Sequence, residues 1–252
     1  MTHQKVAGVD WARGEWLAVI FEDGIYSGCL LENNFEMLWK RVPDLNRMLI
    51  DVPIGLPDDE ETLQDREELD SLARAVTGRP SSVFPVPSRE ACTKANDGEP
   101  YDRVNETNQD VLGKGLSRQS YHIASGIGEV DAFLQSNASI TNIVTESHPE
   151  VCFRGLRGEE LQHSKKTAAG VGERLDSLDN HLDVPGDVFQ TLCARLTKSE
   201  NRATVDDVID ALGLAVTAWK SGEKPDTLPK NPNIDSKGLP MQMAYWSEST
   251  LA

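Results

Sequence analysis

The sequence is poor in basic residues. It holds 25 Lys and Arg against 41 Asp and Glu, which gives a formal net charge of −16. Because Lys and Arg contacts supply most of the non-specific affinity for nucleic acid, this deficit argues against a general DNA-binding module. It leaves open a nuclease whose divalent metal compensates charge locally. An acid-rich, lysine-poor surface is also expected of a protein in a salt-rich cytoplasm, where salt screens self-repulsion, so we predict a halophilic-type surface.

Cysteine is sparse, and apolar runs are short. Cys29, Cys92, Cys152 and Cys193 are scattered, and none has the spacing of a zinc site. Cys152 and Cys193 lie in apolar helical patterns and are predicted to be buried thiols. No run reaches membrane-spanning length, and the first residues lack a signal-peptide pattern. The sequence therefore predicts a reduced, cytoplasmic protein without a membrane partner, and nothing in it indicates an oligomeric state.

The sequence also lacks internal repeats, low-complexity tracts and linkers. We therefore predict a single domain over residues 1–252, long enough to bury a core without disulfides. A proline-rich insertion is predicted around 78–115, with a long irregular excursion over residues 78–100, and an irregular tail is predicted from about 222. Long loops in compact domains are usually functional, so Arg79, Ser88 and Arg89 are predicted to form part of a lid.

Hydrophobic patterning predicts strands first and helices later. The runs KVAGVDWA, WLAVIF and IYSGCLL are predicted strands, and the last two flank an Asp-Gly turn, a strong hairpin signal. The simplest arrangement is an antiparallel meander. Two later strands are predicted at RMLID and NIVTE. Helical spacing predicts helices over residues 34–41, 61–77, 118–135, 165–176, 187–196 and 204–219.

Acidic residues stand where three apolar strands end: Asp10, Asp51 and Glu146. In an open α/β sheet that edge binds ligands, so the carboxylates converge if the strands are neighbours. Asp207 and Asp210, at i and i+3, share one face of the last helix. Clustered carboxylates raise one another's pKa unless a cation lies between them, and hard oxygen ligands suit Mg²⁺ or Mn²⁺. The predicted metal ligands are Asp10, Asp51, Glu146 and Asp207, and Asp210 and His148 join them as predicted catalytic residues.

Each acid also has a structural interpretation. Asp10 fits an Asx-turn at a strand end, and Asp51 fits a turn before Val-Pro. Asp206 and Asp207 fit helix capping in the first turn after Thr204, and Asp206 fits that role better. Glu146 fits an ion pair with a nearby Lys or Arg. The functional interpretation therefore rests on the coincidence of several strand-end acids.

Substrate contacts are predicted from the segment GKGLSRQ. Lys114, Ser117, Arg118 and Gln119 lie at a predicted helix N-terminus, where backbone N–H groups and basic side chains bind phosphate. The alternative is a basic helix cap. The segment lacks the Walker spacing, so it is not a P-loop.

Two further residues are candidates for the same cleft. Lys165 is predicted to line it, with solvent exposure as the alternative. His148 precedes Pro149, which suits the first turn of a helix. It is a candidate to orient a metal-bound water or to donate a proton, and its alternative is a structural hydrogen bond.

Seven segments occur in an order that resembles the DUF429 family: GVDWA, IDVPIGLP, SVFPVPSRE, GKGLSRQSYHI, EVDAFL, ESHPEVCF and DDVIDALGLAVTA. The resemblance runs from about residue 5 to residue 245. The family is described as predicted nucleases with a ribonuclease-H-like fold. It implies a mixed five-stranded sheet, with three antiparallel strands first and then two parallel, flanked by helices. It also implies metal-binding acids at Asp10, at Asp51 and in the DDVIDA helix.

The expected function is that of a metal-dependent nuclease, with Mg²⁺ or Mn²⁺ as cofactor and nucleic acid as substrate. Many ribonuclease-H-like enzymes carry an acid in the first long helix after the hairpins. Here that helix offers only Glu36, so Glu146 is expected to replace it. One alternative is a binding or scaffold protein that keeps the fold without turnover. Another is an actin-like or sugar-kinase-type phosphotransferase, although such proteins use glycine-rich phosphate hairpins, which GVDWARGEW matches poorly.

Overall fold

In the computed structural model, which describes residues 3–198 and 200–251, the chain begins with three antiparallel strands. They are β1 (Lys5–Trp11), β2 (Trp16–Glu22) and β3 (Ile25–Glu32). Between β2 and β3, Asp23 and Gly24 both have positive φ, at 50° and 82°. Such backbone angles suit a two-residue hairpin turn whose twist matches the strands. The meander predicted from the Asp-Gly turn is confirmed.

Two parallel strands complete the sheet. They are β4 (Arg47–Ile50) and β5 (Val144–Glu146), and the strand order is β3-β2-β1-β4-β5. β1 pairs with β4, and β4 with β5, both in parallel. The expected mixed five-stranded sheet, with three antiparallel strands first and then two parallel, is confirmed. Because β1, β4 and β5 run in one direction, their carboxyl ends meet at one edge.

Helices cover both faces of this sheet, and all six predicted helices are present with ends within three residues of those expected. They are α1 (Phe35–Arg41), α2 (Glu60–Thr77), α3 (Arg89–Asn96), α4 (Tyr101–Leu112), α5 (Arg118–Ser136), α6 (Pro149–Arg157), α7 (Ala168–Leu178), α8 (Pro185–Leu196) and α9 (Val205–Lys220).

Both segments that were predicted to be irregular contain regular structure, so those predictions were wrong. Residues 78–115 hold a short 3₁₀ turn (Pro80–Ser82) and the helices α3 and α4. Two of the prolines stand at element starts: Pro80 begins the 3₁₀ turn, and Pro100 is the N-cap of α4. The tail holds two paired strands, β6 (Asp226–Leu228) and β7 (Met243–Tyr245). Strands of three residues are too short to show a period-two pattern.

Alternating residues of the strands build two apolar layers, as the pleat requires. Ala7, Val9 and Ile50 pack on the side of α1, α3 and α5. Val6, Leu17 and Leu49 pack on the opposite side, against α9 and α6. Asp10 follows the period of Val6 and therefore faces α9.

Gly8 brings α9 unusually close to β1. A Cβ atom at Gly8 would lie 2.2 Å from the backbone nitrogen of Ala215 and 2.3 Å from the carbonyl oxygen of Ala211. Real atoms do not approach so closely, so any other residue would force the helix away from the sheet. The contact holds the helix residue Asp210 against the end of β1, where Asp10 lies.

The four cysteines are free thiols. Cys152 is buried, as predicted, but Cys193 is only half-buried because its helix, α8, lies at the edge of the structure's second apolar layer. No helix in residues 3–198 and 200–251 is both long and apolar enough to cross a membrane.

Candidate metal centre

Three carboxylates meet at the carboxyl edge of the sheet. Asp10 comes from β1, Asp51 follows β4, and Asp210 lies on α9. One oxygen from each lies within 4.8 Å of the other two. Val9 and Ile50 are partners in register, and the Asp51 N–H continues the ladder by donating to the Val9 carbonyl at 2.9 Å. Asp10 and Asp51 are therefore side by side on neighbouring strands and point to the same face.

Burial makes this arrangement electrostatically costly. Asp10 is 6% exposed and Asp210 is 1% exposed. Burial, together with the charges of Asp51 and Asp210, raises the pKa of Asp10 well above its usual range. Burial also raises the pKa of Asp51, and it raises that of Asp210 to about 6 although Lys165 acts to lower it. The three groups resist ionising together unless a cation compensates them.

Lys165 supplies one such cation. Its ammonium forms an ion pair with Asp210. Burial alone would lower the pKa of Lys165, but Asp210, Asp51 and Asp10 outweigh burial and raise it. One ammonium against three ionised carboxylates leaves two negative charges, the charge that one divalent ion balances. Lys165, which was predicted to line the cleft, lies on the cavity wall with its ammonium at Asp210.

Three buried polar atoms around the centre have no hydrogen-bond partner among the residues the structure describes. They are Asp210 Oδ1, Glu150 Oε2 and His148 Nδ1. Buried polar atoms are rarely left unpaired in proteins, and an unpaired group calls for an explanation such as a bound ion. The donor set of carboxylate oxygens fits a hard divalent cation such as Mg²⁺ or Mn²⁺.

Glu150 is a carboxylate that sequence reasoning missed. It lies in the first turn of α6, buried, and its Oε1 accepts a hydrogen bond from Arg174 Nη2 at 2.5 Å. Its charge acts to raise the pKa of both Asp51 and Asp210, which places it beside the centre. The segment ESHPE carried the signal, but the strand-end pattern favoured Glu146 in the same segment.

Glu146 does not join the three aspartates. In the β4–β5 register it lies opposite Ile50, which packs under α5, so its side chain points to the other face from Asp51. One residue of register decides the face of a strand residue. Both Glu146 oxygens accept from Arg66, at 2.5 and 2.7 Å, and one also accepts from the Ile54 N–H at 2.7 Å. This geometry fits the structural interpretation of Glu146 and not the metal-ligand one.

Asp207 is likewise engaged elsewhere. Its carboxylate accepts from the backbone N–H and the hydroxyl of Thr204, both at 2.7 Å, and closes a capping box at the start of α9. The structure brings Asp210, one turn later, into the cluster in its place. Asp206 also accepts from the Thr204 hydroxyl.

His148 is held in one orientation. Its Nε2 lies 3.0 Å from the Ser82 carbonyl oxygen, and because a carbonyl only accepts, Nε2 carries the proton. Nδ1 therefore presents a lone pair or a second proton. The charge of His148 lowers the pKa of Asp51, so the ring lies next to the centre.

The predicted phosphate segment is mostly structural. Lys114 pairs with Glu67 at 2.5 Å, Ser117 caps α5, and the Arg118 guanidinium lies 3.6 Å from the Tyr101 ring centre. Only Gln119 of that set lines the cavity beside the aspartates. The basic-cap alternative describes the other three residues better.

The three residues that were predicted to form part of a lid lie in different surroundings. Ser88 caps α3, and the buried Arg89 pairs with Asp58, Asp131 and Asp235. Arg79 alone faces the cavity, while its Nη2 also donates to the Leu161 carbonyl at 2.9 Å. Ser88 and Arg89 therefore belong to the framework and not to a lid.

A cavity of about 820 Å³ opens beside the centre. Asp51, His148, Glu150 and Lys165 lie on its wall, so a bound molecule would contact the carboxylates of Asp51 and Glu150. This volume falls in the range of about 300–1,000 Å³ typical of small-ligand sites.

Fold and site together define a mixed α/β protein whose five-stranded sheet carries a buried carboxylate centre at its carboxyl edge. The sequence profile of DUF429, described as a protein of unknown function, matches residues 8–234. The chain belongs to the DUF429 family. No curated protein and no solved structure matches it significantly.

Proposed function

We propose that the protein is a divalent-metal-dependent phosphodiesterase of the nuclease type. The observation that carries this proposal is the approach of Asp10, Asp51 and Asp210 oxygens to within 4.8 Å of one another, on two buried side chains and the half-buried Asp51. Such a cluster is costly without a cation, and proteins retain costly buried charges mainly where they serve a function.

The three aspartates would hold Mg²⁺ or Mn²⁺. The ion, when bound, supplies a Lewis acid for a phosphoryl oxygen and lowers the pKa of a coordinated water. Asp210 Oδ1 and Glu150 Oε2 are buried and have no hydrogen-bond partner in the described part of the chain, so they are the further oxygens available to the ion. The ribonuclease-H-like assignment supports this reading, since the sheet has the strand pattern that the assignment implies.

The other residues have roles that their contacts suggest. Lys165, poised between the aspartates and the cavity, would place its ammonium against the phosphoryl oxygens, where negative charge develops. His148, fixed through Nε2, would accept or return a proton at Nδ1. Arg174 would hold Glu150 in place through its ion pair.

The test is cleavage of a panel of single-stranded, duplex and branched nucleic acids in high salt, with Mg²⁺, Mn²⁺ or EDTA. Asp10→Asn is compared with Asp110→Asn, which changes an exposed aspartate on α4 by the same substitution. The proposal expects cleavage that requires the metal, is lost in Asp10→Asn and persists in Asp110→Asn. Metal binding without cleavage of any phosphodiester would refute it.

A further inference from the structure

We propose that the substrate is a single-stranded phosphodiester chain that crosses the aspartates, with one nucleotide in the cavity and the next in an adjoining groove. This inference rests on the proposed phosphodiesterase function and names its substrate class. The structural basis is a pair of depressions that share one wall at the centre.

The shared wall lies at the loop before α7. The cavity of about 820 Å³ and a more open groove of about 740 Å³ are both lined by Lys165, Lys166 and Asp206. Lys165 is the residue whose ammonium reaches Asp210. The junction between the depressions therefore lies at the Lys165–Asp210 ion pair, beside the aspartates, where we place the phosphorus of a scissile phosphate with a nucleotide on each side.

The cavity has the chemistry of a nucleotide site. Phe84 lines it, is only half-buried, and packs into none of the three core clusters formed by the residues the structure describes. An aromatic ring left free in this way offers a stacking surface to an unpaired base. Gln119, exposed on the same wall, offers an amide to a base edge, and Arg79 offers a cation to a phosphate.

The groove on the other side suits the next nucleotide. Arg13, from the β1–β2 turn, contributes a cation, and Val171, Leu175 and Val205 contribute an apolar floor. With Arg79, Lys165 and Lys166, four cations flank the path. The chain has a net charge of −16, so it offers a nucleic acid no broad basic face. The substrate must therefore be bound by the few cations beside the centre.

A duplex fits this arrangement poorly. Asp10 and Asp210 are 6% and 1% exposed, and of the three aspartates Asp51 is the one that lines the cavity. A phosphate held on the outside of a stiff double helix cannot reach them, whereas a single strand bends and turns its bases outward. The centre therefore selects single strands, ends or unpaired loops.

The first experiment compares initial rates with Mn²⁺ on one strand, as DNA and as RNA, alone and annealed to its complement. Bis(p-nitrophenyl) phosphate, a small diester, is the third substrate. We expect cleavage of the single strand at least about tenfold faster than of the duplex, consistent with the loss of base stacking and unpairing energy. The DNA and RNA arms show which sugar the site accepts.

Failure of this inference and failure of the proposed function are distinguishable. Equal rates on strand and duplex overturn the single-strand inference and leave the phosphodiesterase standing. Cleavage of the small diester, without cleavage of the single strand or the duplex, also overturns the single-strand inference and leaves the phosphodiesterase standing. No metal-dependent cleavage of any of the three substrates overturns both.

Two variants locate the strand. Phe84→Leu keeps an apolar side chain and removes the stacking ring, so we expect KM for the single strand to rise about tenfold. Lys166→Glu should raise the same KM, whereas Lys224→Glu, the same change at an exposed lysine next to the opposite end of β4, should not. Unaltered thermal denaturation shows that each variant is folded. An unchanged KM in both Phe84→Leu and Lys166→Glu overturns the inference.

Discussion

Asp51, which is half-buried, and Glu146, which is buried, are carboxylates at the ends of neighbouring parallel strands, yet their surroundings differ completely. Both oxygens of Glu146 are held by the Arg66 guanidinium, which is itself 1% exposed. Asp51 lies beside Asp10 and Asp210, and these three carboxylates share the single ammonium of Lys165. Both residues border the same cavity.

The difference teaches that burial alone does not distinguish a structural acid from a functional one. Burial raises the pKa of Glu146 as it does that of Asp51, but Arg66 opposes the effect through two hydrogen bonds and a full charge. If either partner of such a buried ion pair is removed, the other is left as an uncompensated buried charge and the fold is destabilised. The aspartate cluster has less positive charge than negative, and Asp210 Oδ1 has no hydrogen-bond partner among the described residues, a deficit that the proposed metal ion would fill.

The largest effect is expected from Glu146→Gln. The substitution leaves the buried Arg66 charge without its partner, so the free energy of unfolding should fall by about 3–5 kcal/mol. Urea denaturation measures the change, and metal affinity of the folded fraction should stay as in the wild type. A variant as stable as the wild type would show that the Arg66 pair is not structural.

Asp10→Asn should leave stability intact and impair the metal-dependent reaction, the reverse of the result expected for Glu146→Gln. Removing one of three mutually repelling carboxylates relieves repulsion, so stability without metal should be unchanged or raised. Metal-dependent turnover should fall by roughly 10²–10³-fold, because the ion loses a ligand at the reacting centre. The two quantities are measured on the same preparations, by urea denaturation and by initial rates. A loss of stability like that of Glu146→Gln would erase the distinction between the two regions.

Gly8→Ala tests how the fold assembles the centre. The added methyl group meets the backbone of Ala211 and Ala215, so overpacking should lower stability by about 1–3 kcal/mol. Because α9 must move away from β1, the affinity for metal should fall as well. Gly28→Ala is the matched control, since a Cβ at Gly28 meets nothing within 4 Å. Unchanged metal affinity in Gly8→Ala would mean that the close approach of α9 does not position Asp210.

Lys165→Met distinguishes two roles of Lys165: balancing the charge of the aspartates and contacting the phosphate during turnover. Without the ammonium, metal affinity should stay the same or rise, because the ion no longer competes with Lys165 for Asp210. Turnover should fall about tenfold through the loss of one charged contact to the phosphate. Titration calorimetry and steady-state kinetics measure the two quantities. A parallel loss of both would instead make Lys165 a support for the metal site.

The smallest effect is the pH dependence of metal affinity. Asp210 has its pKa raised to about 6, so below that pH the incoming ion must displace a proton. Affinity should therefore rise with pH, by at least about fivefold between pH 5 and 6, as expected when binding releases a proton. Calorimetry at several pH values measures the slope. An affinity independent of pH would show that the carboxylates are already ionised.

Sequence patterns were sufficient for the sheet and for two members of the centre. The Asp-Gly turn and the apolar runs predicted the meander, and the strand-end rule predicted Asp10 and Asp51. Helical spacing placed Asp207 and Asp210 on one face of α9, but it could not show that Asp207 closes the capping box and that Asp210 joins the aspartate cluster. Only the position of α9 over Gly8 separates the two residues.

The remaining features depend on contacts between distant residues. Arg66 and Glu146 are 80 residues apart in the chain, so no local pattern reveals their pair. The face of Glu146 follows from the register of β5, a strand of three residues whose pattern is too short to fix it. Glu150 lies near the aspartates only because α6 packs beside Asp51, a contact that no local sequence pattern indicates.

The most direct test of the central claim is isothermal titration of the metal-free protein with Mn²⁺, on the wild type and on Asp10→Asn, Asp210→Asn and Asp110→Asn. The claim predicts saturable binding to the wild type and to Asp110→Asn, with binding lost or strongly weakened in the other two. Equal binding by all four proteins, or no binding by the wild type, would contradict a metal centre built by Asp10, Asp51 and Asp210.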